Sequence, residues 1–166
     1  MKKVSMIVAA GIMLSAFSAS VLAGSAADSA MVSDPFVRAV PPGQKNSASF
    51  MKIMNHSGKD QAVVGAESPV AEVVELHTHT MVDGMMRMRQ VEKIDLPAGE
   101  TVVLQPGGLH VMLIGLKQDL MPGKDVDVTL KFDDGSTKQI TAPIKKIQMK
   151  MMKGGMDHMK HKDMKH

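Results

Sequence analysis

From Asp34 to Pro143 the chain sets apolar residues against polar ones in short runs cut by turn-forming residues. Val126, Val128 and Leu130 alternate with Asp125, Asp127 and Thr129, which is the period of a strand with one face buried. Runs of this kind predict strands at Phe36–Ala39, Ala48–Asn55, Gln61–Ala66, Ala71–Met81, Met85–Lys93, Glu100–Leu104, His110–Leu116, Asp125–Phe132 and Thr137–Ala142. Between them stand turn signals such as Pro41-Pro42-Gly43, Asp83-Gly84, Pro97-Ala98-Gly99 and Asp133-Asp134-Gly135. No segment of this region keeps a helical period, and no internal repeat is present. Many short strands punctuated by turns predict a sandwich or a barrel. A chain of about 115 residues buries roughly two-thirds of its unfolded surface, which suffices for one domain without disulfides.

The flanks read differently. Lys2-Lys3, the apolar run Val4 to Leu14 and small residues up to Ala23 read as a secretory signal peptide, expected over 1–23 and too short in its apolar part to span a bilayer. Residues 24–33 are small and polar and are expected to be a flexible N-terminal segment. The folded domain is expected at 34–147 and a Met/His-rich, disordered tail at 148–166. The formal net charge of +3 misleads. Two of those charges leave with Lys2 and Lys3, and five lysines against two aspartates from Met149 onward supply another three. The remaining core is mildly acidic. With no Trp or Tyr and few Phe, it offers neither a basic surface nor stacking platforms, so nucleic acid is not an expected partner.

Candidate chemistry concentrates between His77 and Met112. His77, His79 and Met81 share one face of a predicted strand, as do Met86 and Met88 on the next and His110 and Met112 on a third. A two-residue turn at Asp83-Gly84 would set Met88 opposite His79 and diagonal to His77. Imidazole with thioether suits Cu(I) far better than Zn(II), Mg(II) or Ca(II). The chain has no cysteine, which excludes a blue-copper centre and the cysteine-based zinc sites. Against ligation stands packing, because methionine is a common filler of irregular cores. The pattern by itself leaves both readings open.

The spacing His77-x10-Met88-x21-His110-x-Met112 resembles that of the periplasmic copper chaperones called PCu(A)C. So does the contiguous block Pro106-Gly107-Gly108-Leu109-His110-Val111-Met112-Leu113-Ile114-Gly115-Leu116-Lys117, and the similarity runs from about Asp34 to Pro143. The resemblance implies an all-β, cupredoxin-like (immunoglobulin-like) Greek-key β-sandwich that binds Cu(I) through His77, Met88, His110 and Met112. It also implies periplasmic delivery of copper for cytochrome c oxidase assembly. Partners would be the oxidase copper-site subunit and thioredoxin-like assembly factors, with no stable membrane insertion. His79 lies outside the family's ligand motif and stands as an auxiliary candidate.

The tail adds a second set of donors: Met151, Met152, Met156, His158, Met159, His161, Met164 and His166. Its histidines and aspartates suit Cu(II) and its thioethers Cu(I), so it is expected to capture copper in either state. The alternative function is copper sequestration for tolerance, without a specific recipient. A copper enzyme is the least expected class, since no catalytic constellation accompanies these donors.

Overall fold

The computed structural model describes residues 24–147. The expected signal peptide and the tail donors from Met151 to His166 lie outside the described residues. A helical turn, α1 (Ala26–Ser29), precedes ten strands: β1 (Ala30–Arg38), β2 (Asn46–Asn55), β3 (Gln61–Glu67), β4 (Ala71–Val82), β5 (Met85–Gln90), β6 (Ile94–Leu96), β7 (Thr101–Leu104), β8 (His110–Leu116), β9 (Asp125–Phe132) and β10 (Thr137–Lys145). Among the described residues no helix is long and apolar enough to cross a membrane.

The strands form two layers. One runs β5-β4-β8-β2-β1 and the other β10-β9-β3-β6. β7 pairs with Met51–Met54 of β2, beyond the Asn46–Ser49 stretch that pairs with β8. The layers are joined where β1 meets β10 in parallel, Val37 beside Ile144 and Arg38 beside Lys145. Alternation places Val37, Ile53, Leu76, Val111 and Leu113 of the first layer against Val63, Leu96, Val128, Leu130 and Phe132 of the second. Burying each such side chain contributes about 1.5–3 kcal/mol. The expected all-β sandwich is the fold observed, and one core serves the whole of it.

Three local expectations differ from the structure. Residues 24–33, expected to be flexible, form α1 and the first part of β1, with Ala26, Ala27 and Ala30 buried. Ser25 caps α1 through a reciprocal box with Asp28. Asp134 and Ser136 then accept the Ala26 and Ala27 amides at 2.7 and 2.9 Å, contacts that only the fold supplies. β1 begins well before Phe36, because the Asp34-Pro35 pair is absorbed as an irregularity in register with β2 rather than ending the strand. The strand expected to run to Lys93 stops at Gln90, and Ile94–Leu96 forms a separate strand, β6, pairing with β3 in the other layer.

Candidate metal centre

The turn after β4 is the two-residue type that the sequence predicts. Asp83 and Gly84 both take positive φ, 51° and 75°, and Val82 pairs with Met85. That turn fixes the register of the hairpin, so His79 lies directly opposite Met88 and Met81 opposite Met86. On the other side of β4, His77 pairs with His110 and Glu75 with Met112. All these residues project from one face. It is the outer face of the first layer, because the alternate residues Leu76, Val111 and Leu113 point into the core.

The block around His110 has a conformational reason for Gly107 and for Gly115. Gln105-Pro106-Gly107-Gly108 is a turn closed by the Gly108 amide on the Gln105 carbonyl at 3.0 Å, with Gly107 at φ 83° in the position that requires it. The Gln105 amide then donates to the Leu109 carbonyl at 2.9 Å, which delivers His110 into the first position of β8. Gly115, at φ 67°, sits where an added Cβ would lie 2.9 Å from Glu72 Cβ.

His110 is the buried centre of the group, 2% exposed. Its ring lies 5.2 Å from that of His79, 5.8 Å from that of His77 and 6.1 Å from that of Phe50, centroid to centroid. Burial lowers its pKa below the usual 6.5, opposed by its hydrogen bond to Gly108 and aided by the neighbouring His79, His77 and Arg38. The imidazole is therefore neutral at neutral pH. Nδ1 faces the Gly108 carbonyl at 3.0 Å and must be the protonated nitrogen, since a carbonyl only accepts. The lone pair is left on Nε2.

His77 is arranged in the complementary way. Its Nε2 donates to Glu75 Oε2 at 2.7 Å, and its Nδ1 is buried without a hydrogen-bond partner. A carboxylate holding one imidazole nitrogen while the other stays free is the usual support of a metal-binding histidine. His79 Nδ1 is likewise buried and unpartnered. Orphaned ring nitrogens are costly unless something completes them.

Met88, His79, His110 and Met112 line one cleft of about 420 Å³, together with Ala48, Phe50, Arg38 and Ile147. His77 stands beside it, on the far side of His110 from Phe50, and does not line it. The structure thus brings together His110, Met112, Met88 and His79, and leaves His77 within ring contact of His110. Among the described residues no three His, Asp or Glu side chains gather as a nitrogen–oxygen cage for a metal. What the cleft offers is imidazole mixed with thioether, a soft donor set.

Four neighbours of the site were not singled out from the sequence: Glu75, Phe50, Arg38 and Ile147. Glu75 carried a signal, standing two residues before His77 on the same strand face. Phe50, Arg38 and Ile147 arrive through the order of strands in the sheet, which no local pattern reveals.

Comparison with known proteins finds the same fold in copper-bound domains. The Cu(I)-bound solution structure of DR1885 from Deinococcus radiodurans is 40% identical, with a TM-score of 0.58 over 70% of this chain and 77% of that one. The copper-bound PCuAC domain from PmoF2 shares the fold, with a TM-score of 0.61 at 22% identity over 72% of this chain and 94% of that one. A protein of Leifsonia xyli subsp. xyli, named as a lipoprotein, is 38% identical over 123 residues, 74% of this chain and 73% of its own. The LpqE-like family matches residues 30–144, nearly the whole sandwich, and the chain belongs to that family.

Proposed function

We propose that this protein is an exported copper chaperone that carries Cu(I) in the cleft between β4, β5 and β8. The observation that carries the reading is the convergence of His79, Met88, His110 and Met112 on one cleft, with His110 held neutral and its Nε2 lone pair free. His77, with Nδ1 free and Nε2 held by Glu75, supplies a further nitrogen at the margin. All these donors are uncharged, and the Arg38 charge reaches His110, so a singly charged ion is disfavoured less than a doubly charged one. The 40% identity to a protein whose structure is Cu(I)-bound supports the same cargo.

Carriage with release also fits the placement. A site on the outer face of a sheet, with Met88 46% exposed, admits a recipient's ligands without unfolding the carrier. Delivery for cytochrome oxidase assembly is the recipient class that we propose, and the description of a relative as a lipoprotein supports export. The test is anaerobic Cu(I) competition against a chromogenic chelator. His110→Ala and Met112→Leu are each expected to weaken binding in the cleft by about tenfold or more, at least what losing a ligand's hydrogen-bonding partner costs. Because tail donors can also hold copper, the cleft is followed through the methyl resonances of Met88 and Met112. If those resonances stay unmoved in the wild-type protein on adding Cu(I), the reading fails.

A further inference from the structure

The methionines of the β4–β5 hairpin are not accounted for by packing. Met81, Met85, Met86 and Met88 are 68%, 55%, 54% and 46% exposed, and every residue of β5 is exposed. Solvent-facing strand positions favour β-branched, aromatic or charged residues, and nothing there asks for a flexible gap-filler. Three of the four share one face. Met81 is directly opposite Met86, and the next row along the same face is His79 opposite Met88, which opens into the cleft. Met85 pairs with Val82 and projects from the other face, although it is as exposed as Met86.

Directly opposed residues on antiparallel strands have Cβ atoms about 4.5–5.5 Å apart, within the span of two thioethers on one soft ion. The next row lies about 7 Å further along the strand, a distance long side chains cross diagonally. From this arrangement we infer that Met81 and Met86 form an outer Cu(I) intake site, from which the ion passes to His79 and Met88 and then to His110 and Met112. The passage is ligand exchange at constant oxidation state: each new Cu–S or Cu–N bond to an inner donor forms as a Cu–S or Cu–N bond to an outer donor breaks, with no electron or proton moved. Two exposed thioethers bind Cu(I) more weakly than a buried set with imidazole, so the ion moves inward. The inference rests on the Cu(I)-carrier reading above and concerns how the cleft is filled.

The experiment uses the whole mature chain with methyl-labelled methionine and Cu(I) presented as its bicinchoninate complex under anaerobic conditions. On titration past one equivalent, the Met81 and Met86 methyl resonances are expected to move and that of Met85 to stay. Met81→Leu/Met86→Leu is expected to slow uptake from the chelator by about fivefold or more while the final cleft affinity stays within about twofold, since a docking step acts on the on-rate. Met85→Leu changes neither quantity. Unmoved Met81 and Met86 resonances, or uptake as fast as in Met85→Leu, overturn the intake site. Should the Met88 and Met112 resonances also remain unmoved, the carrier reading falls with it. If they move while Met81 and Met86 do not, only the intake site is lost. The resonances are read on the unaltered protein, so the outcome does not depend on the variants folding.

Discussion

His110 carries two demands at once, burial in an apolar setting and, on the proposed Cu(I)-carrier reading, a lone pair kept free for cargo. Phe50 beside it on β2 and the Gly108 carbonyl on Nδ1 satisfy both while the ring stays neutral. The cost appears in acid. Because its pKa in the folded protein lies below the usual 6.5, the unfolded chain takes up the proton first. The stability that depends on a neutral His110 is therefore complete above about pH 6.5 and declines as the pH falls below that value, levelling off once the folded protein is protonated too. The metal-free protein is expected to lose stability to urea between pH 7.5 and 5.5, and His110→Phe to lose less of it. Equal slopes for the two proteins would show that His110 does not set the acid limit.

At the scale of elements, the contact between β4 and β8 decides whether the histidines meet. Gly115 leaves no room for a side chain there, with a positive φ and with Glu72 Cβ and Oε2 at 2.9 and 2.7 Å from any added Cβ. Gly115→Ala is expected to cost about 2 kcal/mol or more, from the strained backbone and the displacement of Glu72 together. Gly43→Ala, also at positive φ but with nothing within 4 Å, is expected to cost less. Urea denaturation of the two variants checks the ordering. These elements also show what could be read from the chain. β8 and β9 were legible to the residue because their alternation begins and ends at clear turns. His79 facing Met88 was legible because a two-residue turn leaves one register. Three-residue β6 and α1 were not, since Ile94 and Leu96 are strand-like only by pairing with β3, and Ala26 and Ala27 are held by Asp134 and Ser136. In the same way Arg38, Phe50 and Ile147 reach the cleft through β1 and β2 lying beside β8, and side-chain spacing along one segment says nothing of that.

Across the whole molecule, the N-terminal segment is tied to the β9–β10 turn. Asp134 accepts the Ala26 amide, Ser136 Oγ accepts that of Ala27, and Lys138 Nζ donates to the Ala27 carbonyl at 2.8 Å. The hydrogen bonds from Ala26 and Ser136 hold the Asp134 carboxyl below its usual 3.8. A depressed carboxyl stabilises the fold above about pH 3.8, and that share is lost as the pH drops further. Asp134→Asn is expected to lower the melting temperature at pH 7 and to matter progressively less as the pH falls to 3 and below. Melting curves across that range test it; a difference that persists undiminished in acid would mean that the charge of Asp134 is not what holds the segment.

The parallel seam between β1 and β10 also sets an order of events during synthesis. Ala26 and Asp134, joined across that seam region, are 108 residues apart in the chain. Pairings so distant close late and slow the folding of β-proteins into the millisecond-to-second range. A nascent chain that already holds His79, Met88, His110 and Met112 still lacks Ile144 and Lys145, against which Val37 and Arg38 settle. Arg38 and Ile147, which flank the cleft, come from the first and last parts of the domain. On the proposed Cu(I)-carrier reading, the cleft takes its final shape only when the last strand arrives, so loading is expected of the finished protein.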